Sequence, residues 1–203
     1  MVATNTVNVV LATVKGVGHK YSRVDMVAAI AKVTLRDGVA KLTFRNVAEE
    51  LGTSDRMVVY YFPAKEDLVL AAVGALSSRM QSLLEEAFGN DRRSPDELIE
   101  RAWPTLKKKS ADRIFQVFLE LVGLSVSGID PYDRITRKIL DEWVDWLSER
   151  VDAPSRPERR RLALGVIARV DGLLLLRHGL GADRKSTRLN SSHVSESRMP
   201  SSA

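Results

Sequence analysis

Residues 43–67 constrain the fold of this chain more than any other stretch. Their sequence, TFRNVAEELGTSDRMVVYYFPAKED, contains two short helical patterns that are separated by Gly52 and followed by an aromatic stop. Thr43 and Ser54 stand where the two helices would begin, and both residue types are preferred N-caps. Two short helices joined by a glycine turn are typical of a helix-turn-helix unit, whose second helix enters the major groove of DNA. The stretch therefore predicts a DNA-binding head.

The rest of the chain also has the periodicity of helices. Ser22 and Asp25 have the spacing of a capping box, and Gly38 ends the helix that they open. No stretch alternates apolar and polar residues as a half-buried strand would. We therefore expect an all-α fold, in which an N-terminal three-helix head is followed by a helical-bundle body. Further helices are predicted at 65–88, 96–109 (kinked at Pro104), 112–126, 132–151 and 158–178.

The order of motifs in the head resembles that of the tetracycline-repressor family of bacterial regulators. After the capping-box helix come Thr-x-Arg-x-x-Ala-Glu-x-Leu-Gly, Ser-x-x-x-x-x-Tyr-Tyr-Phe and Lys-Glu-Asp-Leu, in one continuous spacing. The resemblance covers residues 22–69, about a quarter of the chain. It implies an all-helical homodimer, in which each subunit has an N-terminal DNA-binding head and a C-terminal body that binds a small effector.

The same resemblance implies which residues of the head contact DNA. Arg45 could form a bidentate pair with guanine, and Lys65, at the start of a helix, could bind phosphate. Tyr61 is expected to touch the phosphate backbone, whereas Phe62 is expected in the core. The predicted DNA-binding residues are Thr43, Arg45, Ser54, Arg56, Met57, Tyr60, Tyr61 and Lys65.

Two positions depart from the family pattern. Asp55 stands where many members carry lysine, and an anion that faces DNA weakens binding, although it also complements the positive end of a helix. Val59 replaces a frequent aromatic residue, so a contact there becomes apolar, for example with a thymine methyl group. These departures leave the operator sequence open but not the mode of binding.

The predicted body offers a candidate effector pocket between its helices. We expect five bulky side chains to line it: Met80, Trp103, Phe115, Phe118 and Trp143. The alternative is that they are ordinary core residues. Their apolar character favours a hydrophobic small-molecule effector, but the resemblance fades in the body and does not identify the ligand.

The last two predicted helices, at 132–151 and 158–178, resemble the pair that forms a four-helix bundle across the two-fold axis in this family. Residues 166–176 are apolar on more faces than the core of one subunit requires, which favours self-association. The alternative is a core helix enclosed on all sides. The predicted dimer interface consists of Trp146, Val166, Val170, Leu173 and Leu174.

Composition gives no support to a metal, a cofactor or catalysis. The chain has no cysteine, which excludes disulfides and thiolate metal sites and fits the cytoplasm. His19, His178 and His193 share no metal-ligand spacing, and neither a glycine-rich phosphate loop nor a Ser/His/Asp set is recognisable. No apolar run reaches the ~18 residues of a membrane span. We therefore expect a cytoplasmic protein that is not an enzyme and has no cofactor or membrane contact.

Both ends of the chain are set apart from the predicted domains. Residues 1–19 are expected to form a flexible arm, 20–67 the head and 68–182 the body. Residues 183–203, DRKSTRLNSSHVSESRMPSSA, resemble the in-frame translation of a short-read sequencing adapter, so we interpret them as a non-native tail and expect the true C-terminus to be missing. Four cationic and two anionic side chains lie in this tail, and without it the net charge of +5 becomes +3.

The leading hypothesis is a ligand-responsive transcriptional regulator, most often a repressor in this family, that binds a palindromic DNA operator as a homodimer. Effector binding would move the helix at 65–88 and spread the two heads. Two alternatives remain open. The chain could be a small-molecule-binding or enzymatic helical bundle with a degenerate head, or a constitutive DNA-binding protein without an effector.

Overall fold

The computed structural model of this chain describes residues 21–181, so the predicted arm and the adapter-like tail lie outside the described residues. Within this range the chain forms eight helices, which confirms the predicted all-α fold. They are α1 (Arg23–Asp37), α2 (Phe44–Leu51), α3 (Asp55–Tyr61), α4 (Lys65–Phe88), α5 (Pro95–Leu106), α6 (Lys109–Val126), α7 (Tyr132–Ser148) and α8 (Arg156–Leu180). None of these eight helices is long and apolar enough to cross a membrane.

Several helix boundaries differ from the predicted ones: α6 begins at Lys109 rather than at residue 112, α7 ends at Ser148 rather than at 151, and α8 ends at Leu180 rather than at 178. The two other shifts involve proline. α5 ends at Leu106, two residues after Pro104, instead of continuing as a kinked helix to residue 109. α8 begins at Arg156, two residues earlier than predicted, because Ser155 caps it and Pro157 lies in its first turn. Proline is tolerated there since the first amides of a helix have no intrahelical partner.

The head consists of α1, α2 and α3, packed around side chains that are fully buried. The predicted capping box opens α1: the Ser22 backbone amide donates to the Asp25 carboxylate at 2.8 Å, and the Asp25 amide donates to the Ser22 hydroxyl at 3.2 Å. The head core contains Met26, Ile30, Val33, Leu42, Val47, Val58 and Phe62. This core orients the two helices of the helix-turn-helix rigidly relative to each other.

The body is a bundle of α4 to α8 that shares one continuous hydrophobic core with the head. The long helix α4 joins the two parts, since its first half packs on α1 and its second half packs among α5, α7 and the other body helices. α8 packs against α5 and α7. The loops that precede α5 and follow α7 are held together by an isolated β-bridge between Arg93 and Val151.

Candidate nucleic-acid interface and interior cavity

The turn between α2 and α3 and the start of α2 are formed by residues that were predicted from the sequence. Thr43 caps α2, because its hydroxyl oxygen accepts the Asn46 amide at 3.1 Å. Gly52 adopts the left-handed conformation, with φ +65°, and its amide donates to the carbonyls of Ala48 and Glu49. Ser54 stands at the N-cap of α3, but among the described residues its side chain makes no capping hydrogen bond. The exposed Ser54 hydroxyl is therefore available to an external partner.

α3 presents a mixed polar and apolar face to solvent. Arg56 is exposed and forms no ion pair with any residue in 21–181. Tyr60 is 61% exposed and Val59 is 40% exposed, whereas Met57 is half-buried against the head core. Three of these side chains thus point outward together, and Met57 reaches the surface only in part.

The aromatic stop after α3 is tied back to the start of α1. Phe62 is fully buried, and the Arg23 guanidinium lies 4.7 Å from the centre of its ring. Arg23 also donates to the Tyr61 carbonyl at 3.1 Å. The Tyr61 hydroxyl donates to the Tyr21 carbonyl at 2.8 Å, so this hydroxyl holds the end of the helix-turn-helix against the segment before α1. Phe62 lies in the core, as the resemblance implied.

The two basic residues that flank this face have different surroundings. Arg45 donates to the Glu49 carboxylate at 2.9 Å, one turn later on α2, and both side chains are exposed. Reading a base would require Arg45 to exchange this carboxylate for the DNA. Lys65 begins α4 and is half-buried, and burial lowers the pKa of its ammonium group.

An interior cavity of about 140 Å³ lies between the body helices α4 to α8. Four of the five side chains predicted for an effector pocket line it together: Met80, Phe115, Phe118 and Trp143. Trp103 does not. α5 turns Leu98, Ala102 and Leu106 toward the cavity, and these are spaced four residues apart. Trp103 follows Ala102 directly, so it is rotated by about 100° from that face.

Asp171, on α8, is the charged group in the cavity wall. No group in residues 21–181 forms an ion pair or hydrogen bond with its carboxylate, and burial raises the pKa of Asp171 to about 6. The other polar side chain in the wall, Ser77, accepts a hydrogen bond from the Trp143 indole at 3.2 Å. Asp171 was not among the residues predicted for the pocket. The sequence feature that could have identified Asp171 is that it is the one acidic residue in the largely apolar run 162–176.

The five residues predicted for the dimer interface do not form one outer face. Val166 and Leu174 are buried inside the subunit, and together with Val170 and Trp146 they line the cavity. Only Leu173, at 44% exposure, lies on the outer side of α8. The large apolar residues that α8 exposes are Leu164, Leu173, Leu175, Leu176 and Leu180.

α6 contacts both the cavity and the head. Glu120 accepts the backbone amides of Val39 at 2.8 Å and Ala40 at 3.0 Å, in the loop that leads from α1 to α2. Arg113 donates to the carbonyls of Leu35, at 3.0 Å from Nε, and Arg36 at the C-terminal end of α1. The inner side of the same helix supplies cavity-lining side chains, including Phe115 and Phe118.

The described residues contain no cluster of His, Asp or Glu that could hold a metal ion. The two candidate sites are a surface of the head and a cavity in the body. The exposed basic and aromatic side chains lie on the helix-turn-helix, and the apolar cavity lies in the body.

Residues 27–72 match the family model described as bacterial regulatory proteins, tetR family. A transcriptional regulator from Rhodococcus sp. Rha1 shares 25% identity, covers 80% of this chain and 86% of its own, and superposes with a TM-score of 0.60. A TetR transcriptional regulator from Legionella pneumophila shares 19% identity over 80% of this chain and 91% of its own, with a TM-score of 0.56. No curated protein sequence matches the chain.

A third solved structure, the multidrug binding protein EbrR complexed with proflavin, shares 20% identity. It covers 76% of this chain and 87% of its own, with a TM-score of 0.56. At such identity the likeness to EbrR and to the Legionella protein concerns the fold alone. The helix-turn-helix head and the helical body are thus both found in solved regulators.

Proposed function

We propose that this chain is a transcriptional regulator of the tetR family that represses transcription from a palindromic operator until a small molecule enters its cavity. The observation that carries the proposal is the position of α6, which lines the cavity and holds the loop before the helix-turn-helix. A ligand that displaces α6 would therefore act on the head through direct contacts.

Residues 20–67 would form the DNA-binding domain and residues 68–182 the effector-binding and dimerisation domain. The exposure of Arg45, Arg56 and Tyr60 supports their contact with DNA, and so does the accessible hydroxyl of Ser54. We assign base reading to the two arginines, and phosphate contacts to Ser54 and Lys65. Thr43 and Tyr61 would also contact phosphate, once their hydroxyls exchange the hydrogen bonds that they donate to the Asn46 side chain and to the Tyr21 carbonyl. Met57 and Tyr60 would complete the recognition surface.

Dimerisation would use the outer face of α8. Five exposed leucines on one helix form an apolar surface that a second copy of the chain would cover. Of the residues first expected there, Leu173 stays in this proposal, while Val166, Val170, Leu174 and Trp146 support the interface from inside the subunit. Two heads related by a two-fold axis would then reach the two halves of a palindrome.

Coupling between the sites needs only a modest difference in free energy. A ligand that binds the DNA-free arrangement better than the DNA-bound one by about 1–3 kcal/mol changes operator affinity roughly five- to 150-fold. α6 would transmit this difference through Glu120 and Arg113, and α4 would transmit it through its own cavity-lining residues. Since its target is the bacterial chromosome, we place the protein in the cytoplasm.

Binding to the DNA that flanks its own gene tests this proposal. Fluorescence anisotropy should show a preference for one palindromic segment over scrambled DNA, and affinity should fall steeply as salt concentration rises, because phosphate contacts release counterions. Compounds that bind the cavity should release the segment. Equal affinity for all sequences would contradict the regulator. Specific binding that no ligand relieves would favour a constitutive DNA-binding protein.

A further inference from the structure

Within residues 21–181, Asp171 is a carboxylate without a hydrogen-bond or ion-pair partner, in a cavity wall that is otherwise almost wholly apolar. The residues around it in that wall include Val170, Leu174 and Trp143. Burial of an ionised group without a partner is unfavourable, so such groups are paired in most proteins. Because burial raises the pKa of Asp171 only to about 6, this carboxylate is mostly ionised at neutral pH.

The cations nearest to Asp171 along α8 are already paired with other residues. Arg169 donates to Asp96 of α5 at 2.7 Å, and Arg177 donates to Asp112 of α6 at 2.9 Å. Each arginine thus joins α8 to a neighbouring helix and leaves Asp171 uncompensated. Among residues 21–181, therefore, no cation compensates the charge of this carboxylate.

We propose that the cavity binds a small aromatic cation, with Asp171 as the counter-ion of its positive charge. This inference rests on the proposed function, since it names the chemical class of the effector. The cavity volume of about 140 Å³ is close to the ~150 Å³ of an engineered apolar cavity that holds benzene. One ring with a short charged arm therefore fits the dimensions of the site.

The aromatic side chains of the wall suit the same ligand. Phe115 and Phe118 have ring centres 6.2 Å apart, and the indoles of Trp143 and Trp146 meet edge to face at 5.3 Å. These rings offer apolar contact to an aromatic ligand, and the face of an indole also attracts a cation. A ligand of this kind would satisfy the carboxylate and the apolar wall together, whereas an anion would be repelled by Asp171.

A matched pair of ligands tests the inference directly. Benzylammonium and ethylbenzene have nearly the same size and shape, but one ends in a protonated amine and the other in a methyl group. Calorimetry with the full chain, in the absence of DNA, should show tighter binding of benzylammonium. Asp171→Asn should weaken benzylammonium at least tenfold and change ethylbenzene binding less than twofold. Asp152→Asn, which removes an exposed carboxylate outside the cavity, should change neither.

Three results would overturn the inference. They are tighter binding of ethylbenzene than of benzylammonium to the unmodified chain, an equal loss of both ligands in Asp171→Asn, and no binding of benzylammonium at millimolar concentration. The comparison on the unmodified chain does not depend on whether the variant folds.

The operator assay separates this inference from the proposed function. If benzylammonium binds through Asp171 but leaves the operator complex intact, the inference holds and the proposed role of the cavity fails. If neutral molecules release the operator equally from the unmodified chain and from Asp171→Asn, the regulator holds and the inference fails.

Discussion

Replacement of Glu120 by glutamine should loosen the junction between body and head. The two carboxylate oxygens of Glu120 accept the amides of Val39 and Ala40. A glutamine keeps one acceptor but places an NH2 group against the second amide, where two donors face each other. A hydrogen bond to a charged group contributes about 1.5–3 kcal/mol. Because one of the two bonds is exposed to solvent, we expect Glu120→Gln to lower the free energy of unfolding by about 1–2 kcal/mol.

Gly38 lies on the head side of the same junction, where an added side chain would collide with Glu120. Its φ of +91° favours glycine, and a Cβ at this position would lie 2.5 Å from a Glu120 carboxylate oxygen. The carboxylate cannot move aside without losing its hydrogen bonds, since the loop amides hold it in place. A side chain at Gly38 should therefore displace Glu120 and release the loop.

The assay for Glu120→Gln combines urea unfolding with amide hydrogen exchange. Exchange at Val39 and Ala40 should accelerate roughly tenfold, which corresponds to about 1.4 kcal/mol, while amides deep in α8 keep their protection. Glu100→Gln, an exposed site on α5, is the matched control and should change neither measurement. Unaltered exchange at both loop amides in Glu120→Gln would refute the claim that this carboxylate holds the head.

Three further outcomes are expected. Arg45→Ala or Arg56→Ala should lower operator affinity roughly tenfold and relax the preference at defined base pairs, whereas Lys65→Ala should weaken all sequences alike; a uniform loss in the arginine variants, measured by anisotropy, would exclude base reading. Leu173→Glu should convert the dimer into monomers in sedimentation experiments because it buries an unpaired carboxylate at the two-fold axis, and a monomeric unmodified chain at tens of micromolar would contradict the interface. Deletion of residues 183–203 should leave the thermal midpoint and DNA affinity unchanged, and a shift of several degrees would show that the tail packs.

Features that depend on a few neighbouring residues were predictable from the sequence. The capping box at Ser22, the cap at Thr43 and the left-handed turn at Gly52 are all present, because each is decided by chemistry within one helical turn. The start of α8 was predicted two residues too late, although its signal is also local. Pro157 can end a helix or occupy its first turn, and only the Ser155 cap decides between the two.

Features that depend on neighbouring helices were predicted only in part. Met80 and three aromatic residues lie in the cavity wall, since bulky apolar side chains turn inward wherever the core is. The run 166–176 is apolar on several sides, and the sequence did not reveal that Val166 and Leu174 face inward while Leu173 faces outward. The bonds from Glu120 join residues about 80 positions apart, so no local pattern could reveal them.

The length of α4 has a geometric consequence for recognition of DNA. Its 24 residues span about 36 Å at 1.5 Å per residue, from Lys65 in the head to Phe88 beside the cavity. A rigid rod of this length that tilts by about 5° about its cavity end moves its far end by about 3 Å. That displacement is close to the ~3.4 Å rise between neighbouring base pairs. In a symmetric dimer the two rods tilt in opposite directions, so a small rearrangement around the ligand is enough to shift the separation of the two recognition helices by more than one base-pair step.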